Sequence, residues 1–245
     1  MSAANHARDR TVQHMFDRIA GRYDLLNRVI SFRLDVRWRR QVIQALLYKP
    51  EPRILDIGTG TGDLVFDAAK LLRGKGSLVG LDFSPEMLRL AKSKRDNAAL
   101  RSAAVFVLGS AMTAPFKGNA FDGAMSAFVL RNVSDLSLLF AEAFRILKPG
   151  GTLVTLDMFP PSATLFSSFY SIYFYRVMPR IGALLAGDRA AYQYLSDSVR
   201  QFHSPEHVAG LLEQAGFQRV VVRKFISGAV CMHVANKPPP VEDRT

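Results

Sequence analysis

Between residues 53 and 157 the chain alternates short apolar runs with segments whose apolar residues recur every three to four positions. The runs predict strands near 53–57, 77–81, 104–108, 122–127 and 151–157, and the recurrent segments predict helices near 63–72, 85–95 and 135–147. Alternation of this kind marks a parallel, doubly wound α/β sheet. Local punctuation agrees with it. Ser84-Pro85-Glu86 supplies an N-cap, a proline at the first helical position and an acid in the first turn. Lys148-Pro149-Gly150-Gly151 reads as a helix stop and a tight turn into the next strand.

Either side of this block the pattern changes. Residues 11–30 place Val12, Met15, Phe16, Ile19, Tyr23 and Leu26 on one helical stripe, with Asp17, Asp24 and Asn27 at its edge. Such a helix either packs on the sheet or lies across a cleft. Residues 33–48 read as a second helix around Trp38 and Arg39-Arg40, and Pro50 and Pro52 close an N-terminal helical cap over 1–52. After Asp157 the alternation stops. An insertion over about 160–203 carries Phe166, Phe169, Tyr170, Tyr173 and Phe174 on one helical face. It reads as a helix packed on the core, or as an inserted lid whose aromatic face lines an apolar channel or meets a bilayer surface. A short helix from Ser204 to Ala215 then leads to an antiparallel hairpin, 219–225 and 229–235, around Ser227-Gly228. The main domain thus spans 53–236, and 237–245 reads as a disordered tail.

Composition narrows the classes. At 245 residues, with 49% hydrophobic and 22% charged positions, the chain suits one domain with a substantial core. Cys231 is the single cysteine and the five histidines are scattered, so neither a disulfide nor a metal site is expected. His203 and His207 read as surface residues. The first ten residues have no apolar signal region and no apolar run approaches a membrane span, so a cytoplasmic protein is expected, with peripheral contact at the inner face of the membrane allowed. The net charge of +11 draws heavily on the first fifty residues, with Arg8, Arg10, Arg18, Arg22, Arg28, Arg33, Arg37, Arg39 and Arg40. Without an aromatic–basic nucleic-acid motif beside it, this charge suits anionic lipid before RNA, or a solvated face.

Candidate chemistry centres on Arg53–Asp63, a strand (Ile54, Leu55, Ile57) that breaks into a loop with Gly58, Gly60 and Gly62 before a new helix. Glycine there lets a ligand lie against bare backbone. At the spacing of a nucleoside-binding βαβ unit, Leu78-Val79-Gly80-Leu81 ends on Asp82, whose carboxylate is placed to accept hydrogen bonds from two ribose hydroxyls. In an open parallel sheet ligands bind beyond the carboxyl ends of the strands.

The Gly-x-Gly-x-Gly spacing and the terminal hairpin resemble the class I S-adenosylmethionine-dependent methyltransferases, which implies a Rossmann-like, seven-stranded sheet of order 3-2-1-4-5-7-6. Longer words resemble one group within that class, the quinone-biosynthesis C-methyltransferases (the UbiE/MenG/COQ5 family). These words are Phe16-Asp17-Arg18-Ile19-Ala20-Gly21-Arg22-Tyr23-Asp24-Leu25-Leu26-Asn27, Trp38-Arg39-Arg40, Leu130-Arg131-Asn132-Val133, Leu147-Lys148-Pro149-Gly150-Gly151, Ala186-Gly187-Asp188-Arg189 and Gly228-Ala229-Val230 before His233. The resemblance implies methylation of a ring carbon on a polyprenylated quinol, with S-adenosylmethionine as donor and no metal. The acceptor the resemblance implies is demethylmenaquinol or the corresponding ubiquinone precursor. It leaves the oligomeric state open, a homodimer among the possibilities. Other readings are a methyltransferase of another small molecule, a non-catalytic subunit of a quinone-making complex and, last, an RNA methyltransferase.

Roles follow from the resemblance. Gly58, Gly60, Thr61 and Gly62 would hold the methionine moiety, Asp82 the ribose, and Ser110-Ala111 the adenine. Ser126 would face the sulfonium, with Asp56 and Phe83 completing the cofactor-binding set. Arg131 and Asn132 would stabilise a quinol phenolate, and Tyr23 and Asp24 would orient the ring or relay its proton; Arg131 paired with an acid is the structural alternative. The sequence departs from the family at Ser110, where an aspartate or asparagine is usual, and at Asp157, where a glutamate is usual.

Overall fold

A computed structural model of the chain describes residues 3–97, 104–160 and 189–240. Five parallel strands, β1 (Arg53–Ile57), β2 (Ser77–Asp82), β3 (Ala104–Leu108), β4 (Phe121–Ala127) and β5 (Leu147–Met158), are joined by β6 (Gln218–Phe225) and β7 (Val230–Asn236). The order is β3-β2-β1-β4-β5-β7-β6, with β7 antiparallel to both β5 and β6. This is the expected arrangement. Because neighbouring strand residues point to opposite faces, Ile54 joins a core with Trp38, Val42, Leu64 and Met125, while Leu55 and Ile57 join another with Phe121, Phe140 and Leu212.

The helices are α1 (Ala3–Ile19), α2 (Tyr23–Ile30), α3 (Leu34–Gln44), α4 (Asp63–Leu72), α5 (Pro85–Asn97), α6 (Leu136–Ile146), α7 (Arg189–Arg200) and α8 (Pro205–Gln214). The N-terminal stripe is two helices rather than one. A 3-10 turn over Ala20–Arg22 separates α1 from α2, and Gly21 within it is among the weakest helix formers. The break lets α2 turn Tyr23 and Asp24 toward the sheet. Helix α3 stops at Gln44, short of residue 48, because the chain tightens there: the Leu46 N–H bonds Ile43 O three residues back at 2.9 Å.

Strand β5 also begins earlier than expected. Leu147 pairs with Phe121 and Thr152 with Gly123, so Lys148-Pro149-Gly150-Gly151 is a bulge inside the strand, with Gly150 at φ 75. Lys237, read from sequence as the start of a disordered tail, is tied down. Its Nζ donates to Asn119 Oδ1, Phe144 O and Leu147 O, and its N–H bonds Gly151 O at 2.8 Å. His203 and His207 are exposed and stacked at 4.4 Å. The aromatic positions 166–174 and Gly187-Asp188 lie outside the described residues.

Candidate active site

The carboxyl ends of β1, β2, β3 and β4 open on one cavity of about 860 Å³, part of it continuous with solvent. That size is ordinary for a small-molecule site. After Ile57 the chain folds back over β2, the N–H groups of Gly58 and Thr59 both donating to Leu81 O at 2.8 and 2.9 Å. Gly58 takes φ 70, and a Cβ on it would lie 2.5 Å from the Val129 side chain, so no other residue fits this turn. Gly60, at φ 55, sits across a narrow passage from the Tyr23 ring.

Asp82 closes β2 and lines the cavity. Its Oδ2 accepts the Gly60 N–H at 2.7 Å and its Oδ1 the Ser84 N–H at 2.9 Å. A carboxylate has about four acceptor positions, so capacity remains for two hydroxyls. Burial pushes its pKa up to about 6 against those hydrogen bonds. Asp56 behaves similarly: burial lifts it to about 7, opposed by a 2.7 Å hydrogen bond from Thr59 Oγ1. Asp56 lines a smaller, adjoining polar cavity rather than the main one.

Helix α1 is the roof. Gln13 Nε2 donates to Phe83 O at 2.9 Å, Ser84 Oγ donates to Asp17 Oδ1 at 2.5 Å, and Ser134 Oγ donates to Asp9 Oδ2 at 3.2 Å. Phe16 meets Tyr23 and Phe83 edge-on, with centroids 5.9 and 6.5 Å apart. Sequence reasoning missed Asp9, Gln13 and Lys94. The first two had a signal: 9, 13 and 17 are polar positions at i, i+4 and i+8, one line along a helix.

The smaller cavity, about 430 Å³, adds Asp24, Asn27, Arg39, Thr61 and Asp63, and shares Tyr23, Gly58, Gly60 and Phe128 with the main one. Asp24 is engaged twice, by the Thr61 hydroxyl and by Lys94 of α5. Lys94 also reaches Thr61 Oγ1 at 2.8 Å and Asp63 Oδ1 at 2.9 Å, so it clamps α2 to the glycine loop and α4. Buried Arg39 is held by Asp35 at 2.7 Å and Asp67 at 3.1 Å. Burial raises the Tyr23 pKa, with Arg131 opposing, so the phenol keeps its proton at neutral pH.

The structure brings Tyr23, Gly58, Gly60, Asp82, Phe83, Ser110, Ala111 and Asn132 to the main cavity, and Asp24, Asp56 and Thr61 to its polar extension. Gly62, the αL residue before α4, packs on Phe66 and lines neither. Ser126 lines neither cavity; it is buried and its hydroxyl donates to Ile57 O at 2.9 Å, bridging β4 to β1. Arg131 is also buried, bonded through Nη1 to Asp157 Oδ1 at 2.5 Å, while its Nε makes no hydrogen bond. It lines a separate polar cavity with Arg8, Ser134 and Gln201. Asn132 Nδ2 donates to the carbonyl of Phe128, a residue held at φ 63 where the two main cavities meet. Among the described residues no cluster of metal-ligating side chains occurs.

The model of the ubiE/COQ5 methyltransferase family matches residues 3–237. The chain is 41% identical over 224 residues to a demethylmenaquinone methyltransferase of Thermus thermophilus, covering 91% of this chain and 100% of that protein. A demethylmenaquinone methyltransferase of Deinococcus radiodurans is 42% identical, with 92% of each chain covered. The ubiquinone/menaquinone biosynthesis C-methyltransferase UbiE of Geotalea daltonii is 38% identical, over 92% of this chain and 96% of its own. Among solved structures, a Thermotoga maritima S-adenosylmethionine-dependent methyltransferase superposes with a TM-score of 0.62 at 23% identity, covering 92% and 99%. The [4+2]-cyclase SpnF does so at 0.63 and 18%, covering 94% and 97%. At such identities the structural likeness speaks for the fold alone.

Proposed function

The chain belongs to the ubiE/COQ5 methyltransferase family, and its reaction is S-adenosylmethionine-dependent methyl transfer; we propose that the methyl group goes to a ring carbon of a polyprenylated quinol. Demethylmenaquinol is the first acceptor to test, since relatives 41% and 42% identical are demethylmenaquinone methyltransferases. The benzoquinol step of ubiquinone biosynthesis is the second, on the strength of the UbiE relative. The observation that carries the donor side is Asp82, a buried carboxylate held by two backbone N–H groups beside the left-handed glycine loop.

The residues present fit the donor. Asp82 would take the ribose hydroxyls, and Phe83, Met87, Ala111 and Met112 offer an apolar slot for the purine. The polar extension, with Asp24, Asn27, Arg39 and Thr61, suits the charged end of the methionine moiety. The sulfonium, when bound, supplies an activated methyl group with its own leaving group.

What remains for the protein is alignment, exclusion of water and electron density on the attacking carbon. Tyr23 stands at the junction of the two cavities and keeps its proton, so it would orient an acceptor oxygen by donation rather than act as a base. Asn132 would act from the same wall, and its bond to Phe128 O holds the bend between the two cavities. The Arg131–Asp157 pair would support that wall and lend a positive field nearby, in keeping with the structural alternative for Arg131. Asp24, engaged by Lys94 and Thr61, would set the position of α2.

A polyprenyl tail calls for contact with a bilayer. The turn between α2 and α3 puts Phe32 and Arg33 in successive left-handed conformations, φ 50 and 63. Phe32 is 70% exposed, Leu25 55% and Val36 41%, with exposed Arg33, Arg37 and Arg40 beside them. Exposed apolar side chains interspersed with exposed arginines favour an anionic interface. No described helix is long and apolar enough to cross a membrane. Flotation with anionic vesicles, and its loss in Phe32→Ser, tests this contact.

The deciding experiment is a methyl-transfer assay with S-adenosylmethionine and reduced short-chain demethylmenaquinone, run beside the benzoquinol analogue. Methylation of either head group at a ring carbon is the expected result. Failure on both, with the donor still bound, would move the acceptor to another small molecule or leave the chain a scaffold.

A further inference from the structure

Among the described residues two carboxylates line the main cavity, and of these Asp82 alone has a place in the reading above. The other, Asp9, comes from the roof helix, and its surroundings place it at the purine end. Its Oδ2 accepts the Ser134 hydroxyl at 3.2 Å, and Ser134 Oγ in turn lies 3.6 Å from Met112 Sδ. Met112 follows Ser110-Ala111 directly and lines the same cavity. Asp9 is therefore one residue removed from the segment that follows β3.

That segment has a chemical shortage. The exocyclic amino group of a purine is a donor and needs an acceptor. Ser110 stands where an acid or amide is usual in the family, and its Oγ already accepts the Met112 N–H at 3.2 Å. That leaves the Ser110 hydroxyl a single neutral lone pair to offer, a weaker acceptor for the amino group than a carboxylate. A carboxylate accepts only, and the Ser134 bond uses one of its roughly four acceptor positions. Asp9 is also fixed in place, since Gln13 and Asp17, one and two turns further along the same line of α1, hold the roof to Phe83 and Ser84.

We propose that Asp9 is the purine-specificity residue of this site, accepting the 6-amino group of the donor's adenine from the roof. The strong acceptor that the strand end lacks at Ser110 is supplied instead from the roof. The inference rests on the donor reading above and names one more residue of that site.

Calorimetry on the full chain tests it with two probes, S-adenosylhomocysteine and its 6-deamino purine analogue. Wild type should bind S-adenosylhomocysteine about tenfold more tightly than the analogue, the difference of one charge-assisted hydrogen bond. Asp9→Ala should lose about tenfold for S-adenosylhomocysteine and bind the analogue as before, which also shows that the variant is folded. Asp9→Asn, whose amide oxygen still accepts, should keep part of the preference. An Asp9→Ala protein that retains the full wild-type preference overturns the assignment while the donor reading stands. Wild type that binds neither probe overturns the donor reading and the assignment with it.

Discussion

The two ends of the sheet use aspartate in opposite ways. Where the strands finish, Asp56 and Asp82 are buried with few partners, and burial holds them up at about 7 and about 6. Where β4 begins, burial also pushes Asp122 upward, but hydrogen bonds from Lys49, the Arg53 N–H and Lys148 outweigh it and bring the group down to about 2. Lys49 reaches it at 2.7 Å, Lys148 at 3.0 Å and the Arg53 N–H at 3.0 Å. At that end the fold itself satisfies the carboxylate, and the gain goes to stability. At the other end the cost of desolvation stands until a ligand arrives. One residue type in one sheet thus separates function from stability by what surrounds it.

The sharpest way to break this comparison is Asp82→Ala. It removes acceptors for two hydroxyls at ~1.5 kcal/mol each, so calorimetry should show about a 100-fold loss of S-adenosylhomocysteine affinity. The unfolding free energy should change by under about 1 kcal/mol, because a desolvated charge leaves along with its bonds. Asp122→Ala should invert the pattern. Loss of a depressed carboxylate should cost about 2 kcal/mol in urea unfolding, with S-adenosylhomocysteine affinity unchanged within about twofold.

Acid titration sharpens the contrast further. Between about pH 4 and pH 7 the folded chain holds protons on Asp56 and Asp82 that the unfolded chain gives up, so their contribution to stability rises as pH falls through that window. Asp122 works in the other direction: its contribution is present above about pH 4 and is lost as pH falls toward 2. From pH 7.5 to 6 the wild type should gain about 1–2 kcal/mol over an Asp56→Asn/Asp82→Asn double variant. Taking the difference removes His233, whose buried ring resists protonation and pulls the opposite way. The smallest effect expected is that of Ser126→Ala: about 1 kcal/mol of stability for the lost β4–β1 bond and donor affinity within about twofold. A tenfold loss of affinity would instead restore Ser126 to the cofactor site.

The contrast also explains what could be read in the sequence. The glycine loop, Asp82 and the alternation of strands were legible because periodicity and turn chemistry are local signals. The hairpin was legible in the same local way, the sheet order came from the resemblance, and both were found as expected. Long-range partners were not legible. Nothing near Arg131 announces that Asp157, 26 residues on, will hold its guanidinium, and nothing near Ser126 announces the Ile57 carbonyl. The polar line at 9, 13 and 17 was visible in principle, but only the folded chain shows it touching two separate loops. The bulge within β5 was read as a turn because proline and glycine signal both.

The roof helix carries a consequence for the order in which the molecule becomes itself. Its partners at Phe83, Ser84 and Ser134 lie 70, 67 and 125 residues downstream of Gln13, Asp17 and Asp9. The helix is made before the sheet it covers, and it cannot complete these contacts until β1 to β4 have been synthesised. A chain with its sheet complete and its first helix undocked would lack the wall that Asp9 and Phe16 give the main cavity.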